Sequence, residues 1–431
     1  MIPHRAGAAG AFALLLFATT ACGGGSGDSG GSGGDGELNV MMYQDSLAVV
    51  QKNAAERFNE NHEDVEAVVN EVPGDGYEDK LRTVMGSGQS PDMFFNWGGG
   101  SIEAYVDQEM LLPLGATLQE NPEMEEAFIP SILEAGKVND TQYGIPLRGT
   151  QPVMLFFNEQ VFEDAGAEPP ETWQDLLDLV DTFKDEGVTP FALGGATPWT
   201  EQMWMQYLVD RQGGYEVFQR IQNGDSEGWR DPAVLEAAET VQDLVDRGAF
   251  GDNYASVSYE EGGASALLSE GKAAMHLMGS WEYSTQLADA EEFAKEDLGY
   301  AAFPAMPDGD GAPQAVVGNP TNFFSVTDDG DSEAEVDFLK QTYTDEYVQD
   351  MVENGEVPTT DNSEEMIEEH SPNPDFATFQ YRMVRDAPTF QLSWDQALDR
   401  SVAEPMVTEI ERLFNKQVTP EEFVDNVAAL Q

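Results

Sequence analysis

Pro152–Leu193 reads PVMLFFNEQVFEDAGAEPPETWQDLLDLVDTFKDEGVTPFAL. Pro152–Asn158 is an apolar run of the length of a buried strand. Thr172 precedes a helix in which Trp173, Leu176, Leu177, Val180 and Phe183 recur at helical spacing. Asp175 stands three residues after Thr172, a capping box with Asp in place of Glu or Gln. Thr189–Leu193 then reads as the next strand. A strand, a capped amphipathic helix and a second strand in succession are the unit of an α/β layer with a largely parallel sheet.

The same alternation extends in both directions. Leu38, Val40 and Met42 alternate with Asn39, Met41 and Tyr43, a strand pattern. Strands are expected at Val65–Val72, Met93–Phe95, Ala273–Met278, Gly299–Phe303 and Asn322–Val326. Helices are expected from Ser46, over Tyr77–Met85, Glu333–Glu353 and Pro405–Phe414, and after Thr419-Pro420-Glu421-Glu422. No internal repeat stands out.

The chain has 431 residues, 20 Lys+Arg and 81 Asp+Glu, for a formal charge of −61. At 41% hydrophobic it carries enough apolar residues for real cores, and its length suits more than one domain. The charge excludes DNA or RNA as partner, since phosphate binding needs a basic surface. It equally excludes docking on anionic lipid through a basic patch. The acid excess is either a solvated surface or a halophile-like adaptation, in which salt screens self-repulsion. Cys22 is the sole cysteine, so neither an intrachain disulfide nor a Cys-based zinc site can form.

Residues 1–21 have the layout of a signal peptide: Arg5, the apolar run Ala11–Ala18, then small residues up to Ala21. The run is too short to span a bilayer. The junction Ala21-Cys22-Gly23 resembles a bacterial lipoprotein signal, which implies lipidation of Cys22. Residues 22–36 continue as a Gly/Ser/Asp tether with nothing to bury. The G-x-S-x-G match at Gly27–Gly31 falls in that tether, without the strand and helix that a nucleophile elbow requires.

Several short strings together carry a family resemblance. They include Ser90-Pro91-Asp92, Tyr143-Gly144-Ile145-Pro146, Leu155-Phe156-Phe157-Asn158, Pro169-Pro170-Glu171-Thr172-Trp173, Gly271-Lys272-Ala273-Ala274-Met275 and Gly279-Ser280-Trp281. In this order they resemble the extracellular solute-binding proteins of ABC importers, family 1, in the maltose-binding-like sugar branch. The resemblance implies a two-lobed periplasmic-binding-protein-like fold. Each lobe is a mostly parallel sheet flanked by helices, and a hinge leaves a cleft between the lobes. It implies lobe 1 at 37–149 plus 312–365 and lobe 2 at 150–311 plus 366–431. The hinge would fall near Leu147–Gln151 and again near Pro304–Ala312.

A sugar in such a cleft needs hydrogen-bonding side chains and flat aromatics over its C–H faces. Trp97, Trp199, Trp281 and Trp394 stand at strand ends or in loops where the resemblance places the cleft, with Trp204 as an alternative to Trp199. Trp173, on the apolar face of its helix, reads as core. Polar candidates are Tyr43, Gln44, Arg148, Gln151, Glu201, Asn319, Asn322 and Asp395. Arg148 either holds vicinal hydroxyls or a carboxylate of the solute, or forms an ion pair in the hinge. Glu201 and Asp395 either face the solute or are simply solvated.

The function implied is an extracytoplasmic receptor, held by a lipid at the outer face of the cell membrane. It would bind a carbohydrate, expected to be an oligosaccharide, and deliver it to the permease subunits of an ABC transporter. A monomer is expected, with no cofactor, no metal and no catalysis. The alternatives are a secreted carbohydrate-active hydrolase and a binding protein for a polyol or another non-sugar solute. With 81 acids, a pair of carboxylates at hydrolase spacing carries no information. His4, His62, His276 and His370 are scattered and form no H-E-x-x-H.

Overall fold

The computed structural model describes residues 36–44, 47–73, 76–259, 262–306, 308–328 and 333–431. The expected signal segment, Cys22 and the tether up to 35 lie outside them. The strands are β1 (Glu37–Gln44), β2 (Glu66–Pro73), β3 (Met93–Asn96), β4 (Lys137–Val138), β5 (Thr141–Gln142), β6 (Ile145–Pro146), β7 (Gln151–Asn158), β8 (Thr189–Ala192), β9 (Ala273–Gly279), β10 (Leu298–Ala301), β11 (Val316–Asn319), β12 (Phe323–Val326) and β13 (Phe390–Leu392). One sheet has the order β2-β1-β3-β12-β6. The other has the order β13-β11-β7-β9-β8, with β10 also on β7. A small hairpin, β4-β5, completes the set.

The helix that follows Thr172 forms as its sequence dictates. Thr172 Oγ1 accepts the Asp175 amide at 3.2 Å, and the Thr172 amide donates to Asp175 Oδ2 at 2.8 Å. Such a cap stabilises a helix by about 1 kcal/mol. Leu176, Leu179, Val180 and Phe183 are its buried face. They pack into a core with Phe156, Phe191, Trp204 and Met275. The first sheet has its own core, around Val40, Phe58, Phe94 and Phe324. A smaller cluster joins Ile129 and Ile132 to Val316, Tyr381 and Phe390.

Each sheet is mostly parallel, as expected, with one strand reversed: β12 in the first and β7 in the second. β12 runs against β3 and β6, and β7 runs against β9, β10 and β11. The cause is the crossing between sheets. β6 ends at Pro146, and β7 begins at Gln151 in the other sheet. β11 ends at Asn319, and β12 begins at Phe323 back in the first sheet. A strand that starts at the crossing must run away from it, opposite to strands that end there. The second passage thus lies at 319–323, beyond the expected 304–312 and beyond a boundary at 312, because β11 belongs to the second sheet.

The crossings are tied to one another. Leu147 donates its amide to the Asn322 carbonyl at 2.9 Å, and Thr150 donates to the Val357 carbonyl at 2.8 Å. The Leu147 carbonyl accepts from Tyr347 Oη at 2.6 Å and from Gln51 Nε2 at 3.0 Å. Thr321 Oγ1 donates to the Arg148 carbonyl at 2.7 Å. A β-carbon at Gly149 would lie 2.8 Å from the Val357 carbonyl oxygen, so only glycine permits this approach.

Candidate functional site

Topology gathers the site. β1, β3 and β6 of the first sheet and β8, β9, β11 and β13 of the second all end on the side where the chain crosses. Carboxyl ends of strands are where α/β sheets hold ligands.

The end of β1 and the residue after β3 build one aromatic wall. Tyr43 stacks on Phe95 at 5.5 Å, and Trp97 stands edge-on to Phe95 at 4.9 Å and to Tyr43 at 5.7 Å. Tyr77 lies behind them, fully buried, and donates to the Phe95 carbonyl at 2.6 Å. Burial holds its phenol well above the usual range, so it stays a neutral donor. Trp97 and Tyr43 remain half-exposed. The chain leaves Trp97 through Gly98 and Gly99, with φ of +76° and +50°, a turn that side chains resist.

The second sheet builds the other wall. Trp281 follows β9 after Gly279 and Ser280, and its ring lies flat on Gly279, where no β-carbon fits. Trp199 opens the helix Trp199–Gly213. Its ring is 6.2 Å from Trp281 and 4.9 Å, edge-on, from Tyr259. All three rings are half-buried. At the crossing ends of β7 and β11, Gln151 and Asn319 are register partners, with Asn319 Nδ2 at 3.5 Å from Gln151 Oε1. Half-exposed aromatic rings and primary amides at strand ends on the crossing side suit a ligand with hydroxyls and apolar faces. Tyr259 is absent from the sequence-based set; a lone aromatic in an acidic, Gly-rich loop gives no signal.

Five further residues of the expected set are buried or half-buried. Trp394 is fully buried, stacked on Phe218 at 5.0 Å, with Nε1 donating to Gln391 Oε1 at 2.9 Å. It is a core residue, drawn in because its indole fills the space between Phe218 and Trp229. Trp204, the alternative to Trp199, is also core, edge-on to Phe191 at 4.8 Å. Glu201 is not solvated but 0% exposed, and burial, with Glu411 nearby, pushes its carboxyl up to about 9. Asp395 is half-buried and accepts from Gln202 Nε2 at 2.8 Å; burial raises its pKa. Arg148 is 2% exposed with its guanidinium 5.8 Å from the Phe95 centroid, against the first aromatic wall. Of the rest, Asn322 is buried beside the crossing, and Gln44 is exposed at the tip of β1. Among the described residues no three His, Cys, Asp or Glu side chains stand together as a metal site.

Residues 43–349 match the family model described as "Bacterial extracellular solute-binding protein". The chain belongs to that family. The match begins at Tyr43 in the aromatic wall and ends in the helix Asp345–Glu353. An uncharacterized ABC transporter extracellular-binding protein of Pyrococcus horikoshii is 26% identical over 232 residues, 53% of this chain and 51% of that one. The xylose/arabinose-binding protein XacG of Haloferax volcanii is 30% identical over 215 residues, 49% of this chain and 45% of that one. The alignments thus span about half the length of these curated relatives. Among solved structures, a chitin oligosaccharide binding protein superposes with a TM-score of 0.72 at 24% identity, covering 92% of this chain and 98% of that one. That likeness extends the shared two-lobed fold of this solute-binding protein over nearly its whole described length.

Proposed function

We propose that this solute-binding protein captures a carbohydrate, an oligosaccharide in particular, between its two lobes and delivers it to the permease of an ABC importer. The observation that carries this reading is the pair of aromatic walls, Tyr43–Phe95–Trp97 and Trp199–Tyr259–Trp281, raised at strand ends of different sheets. The name of the Haloferax relative supports a sugar as solute. Tyr43, Trp97, Trp199 and Trp281 would cover the sugar faces, and Gln151 and Asn319 would exchange hydrogen bonds with hydroxyls. Arg148 and Asn322 would hold the hinge. The lobes would be 37–149 plus the segment from β12 to about 365, and 150–319 plus the chain from about 366. No bond of the sugar is broken in this reading. The receptor acts outside the cytoplasm as a monomer, anchored through a lipid on Cys22.

The test is a thermal-shift panel of mono- and oligosaccharides, with polyols included, followed by calorimetry on the best ligand. A ligand at 100 times its Kd adds about 2.7 kcal/mol of stability. One site per chain, a smaller radius of gyration when bound and an unchanged sugar on chromatography are expected. Turnover of the sugar, or stabilisation by polyols and by no sugar, overturns the reading. Cys22→Ala should release the protein from membranes or leave its leader uncut, and unchanged retention removes the anchor from the proposal.

A further inference from the structure

A second cavity lies away from the site. The helix Trp199–Gly213, the segment joining β10 to β11 and the helix Pro374–Arg385 enclose about 740 Å³, a volume that suits a small organic ligand. Its wall includes Val316, the first residue of β11, whereas the last residue, Asn319, stands on the site described above. At about 3.3 Å per residue, the strand separates the two by about 10 Å.

The floor is rigid and aromatic. The Tyr207 and Phe303 rings stack at 4.4 Å and 3°. Arg211, 2% exposed, lies 5.0 Å from the Tyr207 centroid. Its Nη1 donates to Asp210 at 2.8 Å and its Nη2 to the Ala315 carbonyl at 2.9 Å, while Nε has no hydrogen-bond partner. Arg211 is therefore balanced by the equally buried Asp210 and adds little net charge. Phe379 and Met383, both half-buried, add soft apolar wall. At the rim the charges are unequal. Arg382 is engaged by Glu364 and Glu368, and Asp386 by Arg385. Asp375 is exposed in the first turn of its helix, and no cation among the described residues is paired with it.

The geometry points to a second binding site, for an amphipathic organic cation, with its apolar body on Phe303, Phe379 and Met383 and its ammonium beside Asp375. Aromatic faces attract such cations as well as apolar groups. The chain's charge of −61 raises the local concentration of cations and turns anions away. The site is independent of the carbohydrate reading, since it shares no side chain with the aromatic walls.

Benzyltrimethylammonium is the probe, titrated calorimetrically at low salt, with benzenesulfonate and benzyl alcohol as its anionic and neutral counterparts. The expected result is single-site binding of the cation and none of the sulfonate. Asp375→Asn, an exposed change, should weaken binding about fivefold, the scale of a surface charge pair. Gln314→Trp, from another exposed position at the cavity, should block it. Trp281→Ala should leave it unchanged, which separates this cavity from the aromatic walls. Absence of binding, equal binding of the sulfonate, or loss in Trp281→Ala with retention in Asp375→Asn overturns the proposal. Melting curves confirm that each variant is folded, and the Asp375→Asn result decides if Gln314→Trp unfolds.

Discussion

Gly100 and Leu398 meet backbone to backbone across the two halves of the molecule, and the Leu398 carbonyl leaves no room for a β-carbon on Gly100. Gly100 opens the helix Gly100–Asp107 just after Trp97, while Leu398 follows β13 and the short helix Trp394–Ala397. Next to them, a β-carbon on Gly99 would lie 3.0 Å from the Ala397 Cα. The structure is therefore a state in which the two halves touch beside the aromatic walls.

Gly100→Ala should hold the halves apart at this point. Overpacking of this kind costs about 1–3 kcal/mol, and opening relieves it. The ligand-free protein should melt near its normal temperature, but bind sugar more weakly by about that amount. Its radius of gyration should shrink less on binding. Unchanged affinity would mean that the contact at Gly100 is no part of the bound state.

Trp281→Ala tests the wall itself. The indole is partly exposed and its ring packs against Gly279, so its removal opens a hollow to solvent rather than a closed cavity. By analogy with stacking of nucleobases on aromatic side chains, the loss of binding should be about 1–3 kcal/mol. The fold should persist. Calorimetry with circular dichroism on the same samples separates the two effects, and a variant that unfolds while its folded fraction binds normally would make Trp281 a core residue.

The sequence made the ends of the strands legible and left the interior of lobe two obscure. Thr172 and Asp175 announced their helix because a cap and a 3.6-residue apolar period occur together there. Trp97 and Trp281 were legible as strand-end residues because glycines beside a short apolar run mark the point where a strand stops. The helix Trp199–Gly213 gave no such sign. It is buried from Thr200 to Arg211 on every side, so no apolar stripe alternates with a polar one. That is why Glu201 read as a solvent or ligand group and Trp199 as the end of a strand. β11 and β13, of four and three residues, are too short to show a period of two. Missing β11 moved the second crossing toward residue 312. Trp394 misled for a related reason: its partner ring, Phe218, lies far away in sequence.

Salt should stabilise this chain. At −61 the folded state repels itself, and the Debye length falls from about 30 Å at 0.01 M salt to about 3 Å at 1 M. Repulsion between distant carboxylates is then lost, while the buried Arg211–Asp210 pair is barely screened. The melting temperature should rise steadily from low to molar NaCl. A flat or falling curve would show that the surface carboxylates are already neutralised by bound counter-ions at low salt.

Glu201 gives the pH prediction. Its side chain is 0% exposed, and neither carboxylate oxygen has a hydrogen-bond partner. Burial, then Glu411, raises its pKa from 4.5 to about 9, so at neutral pH it is buried as the acid. In the unfolded chain the same group ionises near 4.5. Between these values the folded state holds a proton that the unfolded state has released, so the term falls as pH rises. It is fully present below about 4.5, declines by about 1.4 kcal/mol per pH unit, and is exhausted above about 9. Glu201→Gln places a neutral amide of nearly the same shape in the site and removes the titration. The variant should match the wild type near pH 4.5 and exceed it by a few kcal/mol at pH 7–8, a gap that urea denaturation across that range will read as a difference in slope with pH. A gap that stays constant with pH, or a variant less stable at pH 8, would mean that Glu201 is ionised in the folded protein.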